Sequence, residues 1–199
     1  MLSRIAQAND LDADLPARGP LVANPPGRYA PYDTYVSTAT AWGLHTDDTS
    51  PPAPLFTYAA APPAGRPVTS VHIPYSSTND TTWAWDPKGR QWLRSYGSVP
   101  ATLADGGRIT AANIVVQVVQ VNYGPWVEDA YHDLEVQPQL TGTGLAVVFR
   151  DGVEVAGTWQ RSAEGEPTKL LGTDGSPIPL APGETWVEIV PSNVTVSSA

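Results

Sequence analysis

A mainly β fold of the α+β kind, an antiparallel and hairpin-rich sheet with one or two short helices and long proline-rich loops, is the architecture this sequence predicts. Composition is the first reason. Among 199 residues, 21 prolines and 17 glycines interrupt helices too often for a helical protein, while seven tryptophans and eight tyrosines are too many large rings for a disordered chain. Periodicity is the second: from Val68 onward apolar residues recur at every other position. The third is turn chemistry between those runs, at Asp86-Pro87-Lys88-Gly89, Arg150-Asp151-Gly152 and Asp174-Gly175.

Taken in order, Leu2, Ile5 and Ala8 fit one short helical face, and the five prolines of LDADLPARGPLVANPPGRYAPY then force an extended or coiled course. In YVSTATAWGL, Ser37 or Thr38 offers an N-cap and Gly43 a stop, giving one short helix. TDDTSPPAPLFTYAAAPPAGRP reads as a long surface loop. Val71, Ile73 and Tyr75 then share one face of a half-buried strand, and TTWAWDPKGRQWLRSY is a hairpin in which Trp83 and Trp85 share a face. ITAANIVVQVVQVNY, rich in β-branched residues and apolar on both faces, belongs at the centre of the sheet. GTGLAVVFRDGVEVAGTWQRS resembles a glycine-rich phosphate loop at its head, but its glycines lead into a strand where a phosphate loop would open a helix, so it reads as another hairpin. GETWVEIVP is a last alternating strand with Trp186, Glu188 and Val190 on one face. The domain expectation is an N-terminal helix and extended arm over 1–24, a single β-rich domain over 25–191 and a flexible tail over 192–199.

Formal net charge is -9, with Lys88 and Lys169 the only lysines, which disfavours phosphate backbones and anionic lipid surfaces, so no nucleic-acid partner is expected. The absence of cysteine excludes disulfides and thiolate chemistry within the chain. No apolar run reaches the roughly 18 residues that span a bilayer, and Met1 to Asp14 lacks the apolar stretch of a signal peptide. Either Met1 is the native start and the protein is cytoplasmic, or a leader and more precede it.

The order of elements toward the C-terminus carries a resemblance. GTGLAVVFRDGVEVAGTWQRS followed by EPTKLLGTDGSPIPLAPGETWVEIVP resembles the C-terminal domain of the YerB-like bacterial lipoproteins, in the G-x-G run, the D-G turn, the G-T-W segment and the closing P-G-x-T-W strand. Upstream, GRYAPYDTY is similar to that family's R-x-A-P-H-N-x-Y segment, with Tyr32 and Asp33 where histidine and asparagine are usual, so no ligand role is carried over for that pair. AANIVVQ looks like the family's strand opening with asparagine. The resemblance implies an extracytoplasmic location, anchored through an N-terminal part this sequence lacks, on which the domain would pack. It implies a β-rich mixed fold and brings no catalytic residues.

Three groups of side chains compete for a functional role. WVEDAYHD places Glu128, Asp129, His132 and Asp133 close together, a set that could hold a divalent metal or divide acid and base work. With one histidine, and Gly124-Pro125 upstream, the cluster reads as a solvated acidic loop, and neither metal nor cofactor is expected. Trp83, Trp85, Trp92 and Trp126 could form a flat platform for a sugar ring, with Asn79, Asp86 or Arg94 bonding its hydroxyls, or the rings could fill the core. Trp159 and Trp186 read as core. Arg28 and Arg94 could anchor an anion, or pair internally with Asp33, Asp86 or Glu128. No G-x-S-x-G elbow occurs, His45, His72 and His132 have no triad spacing, and Asn113 reads as a backbone cap. The expectation is therefore a non-catalytic module for a cell-wall glycan or envelope protein, with Trp83, Trp85, Trp92, Arg94 and Arg28 in the contact. The alternative is an envelope glycan or peptidoglycan hydrolase using Glu128 or Asp129 with His132, which needs two carboxylates facing each other across a cleft.

Overall fold

Alternating β-branched and aromatic residues give sixteen short strands among the residues that the computed structural model describes, namely 22–23, 26–27, 29, 35–39, 54–61, 63–127 and 132–199. The chain divides into two units, Met1–Ala53 and Pro54–Ala199. In the first, β1 (Val22–Ala23) pairs antiparallel with β2 (Tyr35–Val36), and Thr38 and Ala39 are helical. The rest of the expected helix up to Gly43, the helical face at Leu2, Ile5 and Ala8, and Arg28 lie outside the described residues.

The second unit runs through β3 (Arg66–Pro67), β4 (Ser70–Pro74), β5 (Asp80–Asp86), β6 (Gln91–Tyr96), β7 (Val99–Pro100) and β8 (Thr110–Ala111). It continues with β9 (Asn113–Val119), β10 (Val121–Val127), β11 (Leu134–Pro138), β12 (Gly142–Arg150), β13 (Val153–Arg161), β14 (Lys169–Gly172), β15 (Thr185–Pro191) and β16 (Ser197–Ser198). One sheet has the order β16-β4-β5-β6-β7, with β8 added on β6. A second has the order β14-β13-β12-β9-β15, with β3 added on β13, and β10 and β11 form a separate ribbon.

Local chemistry explains the hairpins. Arg150 faces Val153 across a two-residue loop, Asp151 and Gly152, whose φ values of 51° and 73° are the left-handed pair of a type I′ turn. At the β5–β6 turn the Asp86 carboxylate accepts the Lys88 N–H at 3.0 Å. β9 lies between β12 and β15 and is buried on both faces, as its composition requires. Three features depart from expectation. The run through Tyr123 breaks at Gln120, after which β10 leaves the sheet for the ribbon. The sheets are antiparallel except that β15 pairs parallel to β9, because the chain passes from β14 at one edge to the opposite edge. The segment expected as a loose tail is paired: Ser197 and Ser198 face His72 and Val71 on β4.

The core has two layers, one on each face of the β14-β13-β12-β9-β15 sheet. Val71, Ile73, Trp83 and Trp92 of the other sheet meet Ile114, Val116, Phe149 and Val190, so the two sheets pack face to face. On the other face, Val115, Val148, Trp159 and Leu170 are covered by Ile178 and Leu180, with Phe56 packed against them.

Candidate functional site

Because side chains alternate along a strand, the face that holds Trp83 also holds its neighbours two residues away on β6. In this protein that face points into the core. Trp83 and Trp92 have no exposed surface, which removes them from a flat sugar platform. Trp83 donates its indole N–H to Glu188 Oε1 at 2.9 Å and meets Trp186 edge-on, with ring centres 5.5 Å apart. Trp92 packs against Phe149 at 5.9 Å and against the half-buried Trp85 at 5.2 Å.

Arg94 is buried with them. Its ionic partner is Glu188, at 3.7 Å, in place of the expected Asp33, Asp86 or Glu128, and it donates to Thr81 Oγ1 at 3.2 Å. Its guanidinium lies 4.4 Å from the Tyr96 ring centre and 4.8 Å from that of Trp186. Tyr75 donates its hydroxyl to the other Glu188 oxygen at 2.8 Å, and burial, followed by the charge of Glu188, pushes the phenol well above its ordinary range. Glu188 on β15 thus gathers Tyr75, Trp83 and Arg94 from the facing sheet. The cluster is a sheet-to-sheet clasp.

Other sequence candidates separate. His132 is exposed at the start of the return strand, with the left-handed φ of 67° that a turn requires, while Glu128 and Asp129 lie outside the described residues. No group of three potential metal ligands forms among the described residues. Asn113, buried, donates to the Ala181 carbonyl at 2.9 Å and accepts the Ala181 N–H at 2.7 Å, a two-way backbone clip. A cleft of about 470 Å³ is lined by Arg66, Glu154, Asp174 and Ser176, and its charges are satisfied locally. Arg66 bonds Glu154 at 2.7 Å and also Ser198, whereas the Ser176 hydroxyl and N–H hold the Asp174 carboxyl below the usual carboxylate range. A carboxyl held in that state is the reverse of a general acid, whose pKa is raised.

The surface that sequence reasoning missed is the β10–β11 ribbon. Val121 faces Pro138, Tyr123 faces Val136, and Val127 faces Leu134 across a bulge, so one face is apolar along its length. Asn122 and Gln137 are opposed on the other face, where Glu135 accepts from Gln137 at 2.8 Å. Tyr123 is 68 % exposed, Trp126 69 % and Val136 53 %. On the apolar face the mostly exposed Tyr123, an aromatic side chain of roughly 150–250 Å², is accompanied by the half-exposed Val127, Leu134 and Val136, the kind of contiguous apolar surface that marks interaction sites. At its root, Tyr75, Val121, Tyr123 and Val194 line a cleft of about 370 Å³. The signal was present as alternation in Val121-Asn122-Tyr123 and in Leu134-Glu135-Val136-Gln137-Pro138.

No helix among the described residues is long and apolar enough to cross a membrane. In sequence, the chain is 26% identical over 186 residues to the Bacillus subtilis protein named "Putative lipoprotein YerB", covering 92% of this chain and 53% of the relative. It therefore spans about half the length of that relative. The crystal structure of the YerB protein from Bacillus subtilis has the same fold, with a TM-score of 0.65 at 17% sequence identity, over 89% of this chain and 59% of that one. The family model for the C-terminal domain of a protein of unknown function (DUF3048) matches residues 71–187, more than half of the sequence, running from β4 into β15, and the chain belongs to that family.

Proposed function

We propose that this domain is a non-catalytic binding or assembly module of a membrane-anchored, extracytoplasmic lipoprotein, and that its contact surface is the apolar face of the β10–β11 ribbon. The observation that carries the reading is that face, solvent-exposed on a two-stranded ribbon that is weak support for itself in water. The lipoprotein name of the Bacillus relative supports the envelope location, and its greater length leaves room for an N-terminal part on which the domain packs. Within this reading Trp83, Trp92 and Arg94 act beneath the surface, as the joint between the sheets.

Trp126 provides the test, since it is an exposed indole on the ribbon itself. Iodide quenching of tryptophan fluorescence is measured on the purified chain with and without cell-wall fragments and membrane fractions of Bacillus subtilis. Saturable protection that disappears in Trp126→Phe is the expected result. Protection by neither fraction, or protection unchanged in Trp126→Phe, overturns the proposal. Release of muropeptides that is lost in Glu128→Gln would establish the hydrolase instead.

A further inference from the structure

Resting on the reading of this domain as a binding module, we infer that the junction between β9 and β10 is a groove for a neutral oligosaccharide, a second contact beside the apolar face of the ribbon. β9 is held between β12 and β15, whereas β10 leaves the sheet after Gln120, and the break opens two clefts. One is the cleft of about 370 Å³ at the root of the ribbon, with Tyr75, Tyr123 and Asn193 in its walls. The other, of about 340 Å³, is bounded by Gln139, Thr141, Thr143 and Leu145. Gln120 and Ser192 line both, and the Ser192 hydroxyl donates to Gln120 Oε1 at 3.2 Å, so the two clefts meet at a hydrogen-bonded seam. Each is large enough for a small ligand, and two that adjoin suit a ligand made of repeating units.

The lining selects the chemistry. Among the described residues no charged side chain lines either cleft, on a chain whose net charge is -9. A charged ligand would lose hydration there and gain no ion pair. An extended peptide needs open backbone groups to pair with, but the carbonyls along the groove are taken. That of Val118 accepts the Trp159 indole N–H at 2.7 Å, that of Val119 the Ser192 N–H at 2.9 Å, and that of Gln120 the Gln139 N–H at 2.8 Å. The groups left to a ligand are side-chain amides and hydroxyls, from Gln120, Thr141, Asn193 and Tyr123, and a purely apolar ligand would leave them unpaired. Tyr75 has its hydroxyl bound to Glu188, so its contribution to the cleft is its ring. Tyrosine rings beside neutral donors and acceptors match a sugar, which carries hydroxyls around its edge and C–H groups on its faces.

The probes are β-1,4-linked tetramers of N-acetylglucosamine and of glucose, with glucosamine and galacturonate tetramers as the cationic and anionic counterparts. Each is titrated calorimetrically into the full chain at about 0.15 M ionic strength, where long-range attraction to the acidic protein is screened. A neutral tetramer should bind saturably and about fivefold or more tighter than either charged one. Tyr123→Ala should weaken it about tenfold. Because that change can disturb the ribbon, Asn193→Ala, in the turn after β15 and outside every strand, is the second variant and should weaken it about fivefold. Binding of neither neutral tetramer overturns the inference, as does a charged tetramer that binds as tightly, or neutral binding that both variants leave unchanged. Equal binding of a neutral threonine-glycine peptide would make the groove a peptide contact and overturns it too. Trp126 lines neither cleft, so Trp126→Phe should bind the sugar as the wild type does. Failure with the sugars therefore leaves the assembly reading standing, and that reading fails on its own measurement, the protection of Trp126 by envelope fractions.

Discussion

Arg150 carries a full charge with no exposed surface, and its environment explains how. The guanidinium donates to the carbonyls of Pro179 and Ala59, each at 2.9 Å, and pairs with Asp151 at 2.8 Å. It thereby pins two covering segments to the end of β12. Replacing it with methionine strips these carbonyls of a charged donor, and stability should fall by about 3–5 kcal/mol, as for other buried pairs broken on one side. Urea denaturation with an unchanged slope is the check, and a loss within error would show that the segments are held by other contacts. Tyr75 supports a second prediction, in pH. Its phenol is held above the ordinary value by burial first and by Glu188 next, against a smaller opposing pull from Arg94. The unfolded chain releases this proton near pH 10, while the native protein keeps it. The stabilisation is therefore complete below about pH 10 and is lost as pH rises beyond it. Urea midpoints should fall more steeply above that point in the wild type than in Tyr75→Phe, and parallel curves would remove Tyr75 from the account.

At the scale of the element, the β12–β13 hairpin shows why its leading glycines are glycines. Gly144 faces Trp159 across the pair, and the Trp159 indole N–H passes over it to the Val118 carbonyl on β9, at 2.7 Å. A Cβ on Gly144 would lie 2.5 Å from that indole nitrogen and 2.7 Å from that carbonyl oxygen. Gly144→Ala should therefore displace the ring and cost about 1–3 kcal/mol, read as a lower melting temperature with a red-shifted tryptophan emission. An unchanged emission would mean that the strand moves and the ring does not. The hairpin itself was legible in the sequence, because strand period and Asp-Gly turn chemistry are properties of neighbouring residues. Its spacing to Trp159 and Val118 was not, since those contacts depend on which strands become neighbours. The same division runs through the aromatic hairpin. Alternation shows that Trp83 and Trp85 share a face, yet it is silent on whether that face meets solvent or another sheet. Arg150 reads locally as a turn residue, and its partners at Ala59 and Pro179 lie 91 and 29 positions away. The ribbon was hidden because Asn113 to Tyr123 reads as one continuous strand-forming stretch, and its break at Gln120 depends on which strands become neighbours on either side.

Across the whole second unit, the two sheets are joined by buried apolar contact and by polar ties at defined points, of which the Glu188 clasp is one. The C-terminal segment is another. Val194 and Val196 pack against the inter-sheet core, while β16 and Ala199 pair along β4, with Ser70 N–H donating to the Ala199 carbonyl at 3.0 Å and Ala199 N–H donating to the Ser70 carbonyl at 3.2 Å. Ser198 then reaches to the other sheet, bonding Glu154 on β13, which is itself paired with Arg66 of β3. A segment that is polar and short by composition is thus tied to both sheets. Removing residues 194–199 should lower the unfolding free energy by about 2–4 kcal/mol, from the two part-buried valines and the lost pairing. It also uncovers the edge of β4, so the shortened chain should associate more strongly with rising concentration than the intact chain. Chemical denaturation and sedimentation on the two forms measure both effects. A change smaller than about 0.5 kcal/mol, with no new association, would return the segment to the status of a frayed end and leave the Glu188 clasp to hold the sheets together.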